Sequence, residues 1–389
     1  MSNKEQRKAP ILRFKGYTDD WEQRKLKELA VFNPKGKLPE EFEYVDLESV
    51  VGTEMISHKK TILGDAPSRA QRLAKKGDIF YQTVRPYQKN DYLFDIKAEN
   101  YVFSTGYAQI RPKIDGNFLF QLIRTEKFVK TVLNNCTGTS YPAINSKDLA
   151  NMIVTYTSCK KEQKKIGLLL NNLDNLITLQ QRKNQDIINV KKSILDKIFC
   201  NDNIKKWRKL KLNNILSIPI DEPKEVTNVS DIISVKLNAQ GISKTSNRST
   251  LKLGSTTYYI RHAGQFIFGK QNFFNGSMAI IPSDCEGKVS SKDVPSLNIN
   301  TDIVVPYFLW LYLSRPNFYK NTERWATGTG SKRLHIKDLL SLNIYIPDTK
   351  EQLRISKLMK YLDAQILSNQ KHLEELKNIK KYLLQNMLI

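Results

Sequence analysis

The sequence predicts a mixed α+β fold, in which two globular domains are joined by two long helices that form an antiparallel coiled coil. Three observations predict it. Sequence phrases return in the same order about 190 residues later, which indicates an internal pseudo-two-fold repeat. Two proline-free stretches carry a helical apolar period, and the remaining sequence has short β-branched and aromatic runs between glycines and prolines. The 389 residues are enough for two or three domains with cores of their own.

The repeat is clearest in a phrase that reads T-G-T, then isoleucine, then K-D-L, at 137–149 and again at 327–339. Other landmarks return in the same order: Trp21 and Trp207, GDIF at 77–80 and GQFI at 264–267, and EQ at 162–163 and 351–352. The separation between copies drifts from 186 to 190 residues, which indicates loop-length changes inside a duplicated unit. A catalytic motif is rarely needed twice. We therefore interpret the phrase as a glycine-containing turn that leads through a last strand into the long helix.

Each copy divides into a globular part and a helical part. Strand-like runs fill the globular parts, and an amphipathic helix is expected around Phe118–Leu133 and around Tyr307–Glu323. The predicted boundaries are an N-terminal segment at 1–20, globular domains at 21–158 and 201–347, and helical regions at 159–200 and 348–389.

The helical regions repeat their apolar residues with a period of about 3.56 positions, between a straight helix and a coiled coil. Such helices bury little alone, so we expect them to pair with each other. A pseudo-two-fold axis perpendicular to them makes the pair antiparallel, with one globular domain at each end. Between the apolar residues, the pairs Gln180/Asn369 and Asn184/Leu373 either set the register or lie where the seam opens to water. The predicted core positions are Ile166, Leu169, Leu173, Ile177, Ile187, Ile194, Ile355, Leu358, Leu362, Ile366, Leu376 and Leu383.

Charge and composition restrict the partners. The 62 basic and 39 acidic residues give a net charge of +23, which favours nucleic acid over a membrane surface as partner, although a protein that is merely basic remains an alternative. The four cysteines and four histidines are scattered without zinc-ligand spacing, so we expect no metal site. We expect a cytoplasmic protein without membrane contact, because no disulfide framework or signal peptide is visible and the most apolar run, 303–313, is short and contains proline.

Catalytic motifs are matched poorly. The stretch GQFIFGKQ approaches a phosphate-binding loop, but Gln271 stands where that motif needs serine or threonine. Asp148, Glu162 and Lys164 could form a nuclease-like set, yet the second copy has Leu353 in place of the lysine. A carboxylate such as Glu162 is also expected in the first turn of a helix for electrostatic reasons. We therefore expect a non-catalytic chain.

Candidate DNA contacts are the basic, amide and aromatic residues of predicted loops, which can contact phosphates or base edges. Any single one could equally be a solvated surface residue. In the first copy they are Lys59, Lys60, Arg69, Arg72, Arg85, Tyr87, Gln88, Lys89, Asn90, Ser140 and Tyr141. In the second copy they are Lys244, Asn247, Arg248, Lys270, Gln271, Asn272, Ser331, Lys332 and Arg333.

The chain resembles the specificity (S) subunits of type I restriction-modification systems over essentially its whole length. The resemblance rests on PILRF at 10–14 leading to Trp21, on the G-T…I…L…I segments that close each globular part, and on the paired helices that follow. It implies two target-recognition domains, each reading one half of a bipartite site in double-stranded DNA, and an antiparallel coiled coil that fixes the gap between the halves.

The same resemblance implies the partners and their cofactors. Two modification (M) subunits would bring S-adenosylmethionine and adenine methylation, and two restriction (R) subunits would add ATP-driven translocation and magnesium-dependent cleavage. This chain would bind none of these cofactors. Other classes of protein remain open from the residues alone: a coiled-coil adaptor with protein-binding domains, a stand-alone DNA-binding regulator, and a nuclease with an unrecognised site.

Overall fold

The computed structural model describes residues 9–138, 140–244, 256–328 and 331–388. The chain forms two compact units: the first comprises Met1–Asn184 and Ser368–Ile389, and the second comprises Gln185–Leu367. Asn247 and Arg248, two of the predicted DNA contacts, lie outside the described residues. Within those residues, no helix has the length and apolar character that crossing a membrane requires.

The first unit contains twelve strands among its described residues and four short helices that precede the first long one. The strands are β1 (Glu22–Lys25), β2 (Ala30–Phe32), β3 (Glu41–Val45), β4 (Val50–Val51), β5 (Glu54–Met55), β6 (Lys59–Ile62), β7 (Ala70–Leu73), β8 (Ile79–Gln82), β9 (Tyr92–Leu93), β10 (Tyr101–Ser104), β11 (Tyr107–Pro112) and β12 (Ile153–Tyr156). The helices are α1 (Leu26–Leu29), α2 (Gly116–Leu122), α3 (Glu126–Asn134) and α4 (Ser146–Asn151).

Helix α5 (Lys160–Ile198) begins in the first unit and ends in the second. The strands described in the second unit are β13 (Arg208–Lys211), β14 (Leu216–Ser217), β15 (Pro223–Lys224), β16 (Ser234–Val235), β17 (Ile242–Ser243), β18 (Tyr258–Ile260), β19 (Phe266–Phe268), β20 (Met278–Ile280), β21 (Val289–Ser291), β22 (Ser296–Ile299) and β23 (Asn343–Ile346). Its short helices are α6 (Asn201–Ile204), α7 (Pro306–Leu313), α8 (Pro316–Tyr319) and α9 (Ile336–Ser341), and helix α10 (Thr349–Met387) follows.

One four-stranded sheet has the same construction in both units. Its strand order is β2-β11-β8-β9 in the first unit and β14-β22-β19-β20 in the second. Ile79 pairs with Ile110 in the first sheet, and Phe266 pairs with Leu297 in the second, so both partners are shifted by the same 187 positions. A small sheet in each unit, β1-β12 and β13-β23, joins the start of the domain to the strand before the long helix. The other large sheet differs: β6-β3-β10-β7 in the first unit and β15-β18-β21 in the second.

The core of each unit continues from the globular domain onto the long helices. In the first unit the main apolar cluster includes Trp21 and Phe118 together with Ile166 of α5 and Met387 of α10. In the second unit, Ile355 and Met359 of α10 are buried in the main cluster. Each helix is therefore amphipathic because one face closes a domain core.

A glutamine of the repeated pair EQ fastens each long helix to its domain. Gln163 accepts a hydrogen bond from the Asp115 N–H (3.1 Å) and donates to the Thr157 carbonyl (2.7 Å). Gln352 accepts from the Val305 N–H (2.9 Å) and donates to the Pro347 carbonyl (3.0 Å). Both glutamines are 1% exposed. The repeated pair is thus a structural joint at the beginning of each helix.

Helices α5 and α10 pack antiparallel. In the first unit Asp174 bonds to Lys380, and Gln180 donates to the Asn369 side-chain oxygen at 3.0 Å, so positions rise along one helix as they fall along the other. In the second unit Lys191 pairs with Asp363.

The polar pair Gln180 and Asn369, predicted between the apolar residues, forms a direct hydrogen bond between the two helices. Asn369 is 4% exposed, and its amide nitrogen has no partner among the described residues.

Three local expectations need correction. The helix predicted around Phe118–Leu133 is broken into α2 and α3, because the Thr125 hydroxyl accepts the Phe128 N–H and begins a new helix there. The equivalent helix around Tyr307–Glu323 is broken at Pro316, which begins α8.

The third correction concerns the predicted core position Leu358. It is 42% exposed, and its neighbour Met359 is fully buried instead, because the face of α10 that meets the domain core is rotated by one residue there. The repeated K-D-L lies in α4 and in α9, and the strand that we expected after it follows as β12 and β23.

Candidate nucleic-acid interface

Two loops lie side by side in the first unit, at the end of strand β8 in the sheet β2-β11-β8-β9. One is the loop after β8, at 83–90, and the other is the T-G-T loop at 137–143. The Arg85 N–H donates to the Pro142 carbonyl at 2.8 Å, and the Ile144 N–H donates to the Thr83 carbonyl at 3.0 Å. The Arg85 guanidinium lies over the Tyr141 ring, 4.4 Å from its centroid. We call these two segments the paired loops.

The T-G-T loop closes on itself through Thr137 and Ala143, which exchange two backbone hydrogen bonds of 2.9 and 3.0 Å. The turn needs glycine at its second position, because Gly138 has a φ of +84° and an added Cβ would lie 3.0 Å from the Tyr141 carbonyl oxygen. The glycine of the repeated phrase is therefore explained by backbone geometry.

The second unit repeats this arrangement with different side chains. The Leu334 N–H donates to the Lys270 carbonyl at 2.8 Å, and Thr327 and Arg333 exchange backbone hydrogen bonds of 3.0 and 2.8 Å. Gly328 has a φ of +124°, and a Cβ there would lie 2.6 Å from the Ser331 carbonyl oxygen. The paired loops of the second unit are 270–276 and 327–333, of which residues 329 and 330 are not described.

The predicted contacts that fall on these loops are brought together within each unit. In the first unit Tyr87 and Tyr141 are 51% and 62% exposed, while Lys89 forms an ion pair with Glu126 at 2.6 Å. Exposed aromatic rings can stack on nucleic-acid bases. The members in the first unit are Arg85, Tyr87, Gln88, Lys89, Ser140 and Tyr141, and those in the second unit are Lys270, Gln271, Asn272, Ser331, Lys332 and Arg333.

Asn90 has a structural task on the first loop. Its side-chain oxygen accepts the Gly52 N–H at 2.9 Å, which ties the end of the loop to the turn between β4 and β5. On the second unit's loops, Lys332 pairs with Glu323 at 2.7 Å and Arg333 with Asp293 at 3.4 Å. Their charges are partly compensated at the surface.

Four other predicted contacts of the first unit fall into two pairs at opposite edges of one sheet. Lys59 and Lys60 lie on β6, at one edge of the sheet β6-β3-β10-β7, whereas Arg72 lies on β7 at the opposite edge and Arg69 just before it. Lys60 pairs with Glu41 at 3.0 Å. Arg72 is half-buried, and burial lowers the pKa of its guanidinium. In the second unit, Lys244 forms an ion pair with Asp284.

Beneath the first unit's loop lies a polar cluster that the sequence did not reveal. Asp91 is 1% exposed and accepts the Gln82 N–H at 2.9 Å, and the Arg124 guanidinium lies 3.5 Å from its other oxygen. Burial raises the pKa of Asp91 to about 6, although Arg124 opposes this shift. When the two copies are aligned with an offset of 187 residues, Met278 of the second copy corresponds to Asp91 of the first. This exchange of a carboxylate for a methionine was the sequence signal that could have revealed the cluster.

The nuclease-like set does not form a comparable cluster. Glu162 is fully buried and its two carboxylate oxygens accept 2.8 and 2.9 Å hydrogen bonds from Arg13, while Asp148 is bound to the helix-capping Asn145. Both carboxylates thus have structural partners. No group of three or more His, Cys, Asp or Glu residues suited to a metal ion occurs within the described ranges.

Comparisons with known proteins cover most of the chain. Residues 18–189 and 204–378 each match the family model described as the type I restriction modification DNA specificity domain. The HindI specificity subunit of a type I restriction enzyme from Haemophilus influenzae is 27% identical over 163 residues, which is 40% of this chain and 35% of that protein. The EcoDI specificity subunit from Escherichia coli also matches over 35% of its length, so the chain spans about a third of these two relatives.

Longer matches have lower identity. The putative MjaX specificity subunit from Methanocaldococcus jannaschii is 24% identical over 95% of this chain and 93% of that protein. Among solved structures, the S subunit of a type I restriction-modification system from M. genitalium aligns with a TM-score of 0.64 at 15% identity, covering 98% of this chain and 99% of that chain. A chain from a structural study of complex assembly in the type I R-M system gives 0.51 at 20% identity, covering 94% and 96%. These similarities support the fold.

Proposed function

Because the chain belongs to the type I restriction-modification DNA specificity family, we propose that it reads a bipartite sequence in double-stranded DNA through two target-recognition domains, at 21–158 and 201–347. The observation that carries this proposal is the pair of loops in each unit. One backbone hydrogen bond between the loops recurs in both units, from Ile144 to Thr83 and from Leu334 to Lys270, but the exposed side chains of the loops differ. Two domains that share a loop backbone but expose different side chains are suited to reading two different half-sites.

The chemistry of the loops fits this task. The first unit offers arginine, lysine, glutamine and two exposed tyrosines, and the second offers lysine, arginine, glutamine and asparagine. Arginine and lysine suit guanine or phosphate, whereas asparagine and glutamine suit adenine. The net charge of +23 adds sequence-independent attraction to the DNA backbone.

We further propose that the chain is a non-catalytic scaffold that works in the cytoplasm. Two modification subunits would dock on the long helices and two restriction subunits would join them, with S-adenosylmethionine, ATP and magnesium bound by those partners. Apolar side chains stand exposed on the helices, including Leu179 at 63% in the first unit and Leu367 at 69% in the second. Exposed leucines of this kind suit a partner's helix.

The test is a methylome and binding experiment on the full chain co-expressed with its modification subunit. We expect one two-part motif in the methylated sites. A duplex carrying that motif should bind at least 10-fold better than one whose spacer is changed by two base pairs, and affinity should fall steeply with salt. Binding that ignores the spacer would contradict the proposal and favour an adaptor or a one-site regulator.

A matched pair of variants tests the loops. Lys332→Ala changes the T-G-T loop of the second unit, and Lys337→Ala removes an exposed lysine from α9 in the same unit. We expect the first to weaken DNA binding several-fold and the second to leave it within twofold. Equal effects would mean that the loop is not the contact.

A further inference from the structure

The loop after β8 in the first unit has an unfavourable backbone conformation, which must be stabilised by contacts with the rest of the domain. Arg85 and Lys89 both have left-handed backbone angles, with φ of +56° and +54°, on either side of a 3₁₀ turn at Pro86–Gln88. Residues other than glycine seldom adopt this region. In the second unit the equivalent positions, 187 later, are Asn272 with a φ of −126° and Gly276 with a φ of +75°.

A chain of hydrogen bonds runs from the buried Asp91 to this loop. Asp91 accepts the Gln82 N–H, and the Gln82 side-chain amide donates to the Val84 carbonyl at 2.6 Å and to the Gln88 side chain at 2.9 Å. Arg124 completes the arrangement from the other side, since it donates to the Lys89 carbonyl at 3.3 Å. Both ends of the turn are therefore held by polar groups.

Because the charged groups of this arrangement are buried, their stability depends on how well they are paired. The side chains of Asp91 and Arg124 are 2% and 11% exposed, and their closest approach, 3.5 Å between Arg124 Nε and Asp91, is an ion pair rather than a hydrogen bond. Arg124 also stacks on the Phe120 ring, 4.9 Å from its centroid. A buried charge that loses its partner is strongly penalised, so each of the two residues depends on the other.

The second unit holds its loop by apolar packing from below and by two backbone hydrogen bonds, since the Asn238 and Ala239 N–H groups donate to the Asn275 and Gly276 carbonyls at 2.9 and 2.7 Å. Met278 stands in place of Asp91, Gly269 in place of Gln82, and Ser314 in place of Arg124. Met278 and Phe273 are fully buried in the main apolar cluster of that unit. Glycine at 276 removes the backbone penalty that Lys89 carries in the first unit.

We propose that Asp91 and Arg124 are positioning residues that set the specificity of the first target-recognition domain by fixing the loop that carries Tyr87, Gln88 and Lys89. Among the described residues of the second domain, no buried ion pair lies beneath the corresponding loop. This inference rests on the proposed function, because it assumes that the loop contacts DNA. One half of the recognition site is thus read through a loop held by buried charge, and the other half through a loop held by an apolar anchor.

The experiment uses the full chain with its modification subunit and measures base preference at every position of both half-sites in the methylome. Tyr87→Ala first assigns which half-site the first unit reads. Asp91→Met and Arg124→Met are then compared with Met278→Leu, the matched change beneath the other loop. We expect the first two variants to lose roughly 10-fold in base discrimination at the assigned half-site only, and Met278→Leu to leave that half-site unchanged.

Asp91→Asn and Arg124→Lys separate positioning from folding. Asparagine keeps an acceptor for the Gln82 N–H, and lysine keeps a positive charge, so each should restore part of the discrimination. Unchanged preference in Asp91→Met, or equal loss at both half-sites, would overturn the inference while leaving the proposed function intact. A wild-type methylome without a two-part motif would instead refute the proposed function, and the inference with it.

Discussion

Replacing the buried glutamine at the beginning of a long helix should destabilise the unit to which that glutamine belongs, by a similar amount in the two units. Gln163→Ala leaves the Asp115 N–H and the Thr157 carbonyl without their partner, and Gln352→Ala does the same to the Val305 N–H and the Pro347 carbonyl. Because both side chains are 1% exposed, water cannot replace these bonds without opening the joint. A buried polar group left unpaired costs about 1–3 kcal/mol, so two of them predict about 2–6 kcal/mol for each variant.

The assay is urea unfolding of the full chain, followed by a fluorescence or circular dichroism signal that resolves the transitions of the two units. Gln181→Ala and Gln370→Ala are the matched controls, since these exposed glutamines lie on the same two helices. Controls of this kind should stay within about 0.5 kcal/mol of wild type. If Gln163→Ala were as stable as Gln181→Ala, the joint would not carry the energy that its geometry indicates.

Three further predictions concern other buried or strained groups. Arg13→Met should cost about 3–5 kcal/mol in chemical denaturation, because it leaves the fully buried Glu162 without its partner, and a double replacement by methionine should recover most of the loss. Gly138→Ala and Gly328→Ala should each lose about 1–2 kcal/mol in thermal unfolding from positive φ alone, with the larger loss at Gly328 where the Cβ meets a carbonyl oxygen at 2.6 Å; equal stability to wild type would refute the turn geometry. The raised pKa of Asp91, about 6 against an ordinary 3.8, means that the unfolded chain loses this proton at lower pH than the folded chain. Folding stability should therefore fall by about 3 kcal/mol in total as pH rises from about 3 to 7, measured by urea unfolding, and Asp91→Asn should lack that fall.

The long-range plan of the fold was predictable because duplication makes it visible in one sequence. Helices predicted at 159–200 and 348–389 are Lys160–Ile198 and Thr349–Met387. Their boundaries could be read because a proline-free apolar period of some forty residues has few other solutions. The helix breaks at Thr125 and Pro316 were missed, since a strong apolar period on both sides of a cap resembles one continuous helix.

The candidate interface was predictable only in part. The T-G-T loops were located by their repeated phrase, whereas residues 85–90 and 270–272 were chosen for their basic, amide and aromatic side chains. The role of Asn90 could not be assigned, since its partner Gly52 lies far away in the sequence and meets it only in the folded domain. The pairing of Asp91 with Arg124 was hidden for the same reason.

The two cross-helix ion pairs favour one relative direction of the two helices. Asp174 and Lys191 on α5 have Asp363 and Lys380 as their equivalents on α10, 189 residues later. In the antiparallel arrangement each aspartate meets a lysine. A parallel alignment of the same helices would set aspartate against aspartate and lysine against lysine, with both carboxylates and both ammonium groups partly removed from water. The four charges therefore disfavour both a parallel arrangement of the two helices and a shifted antiparallel alignment.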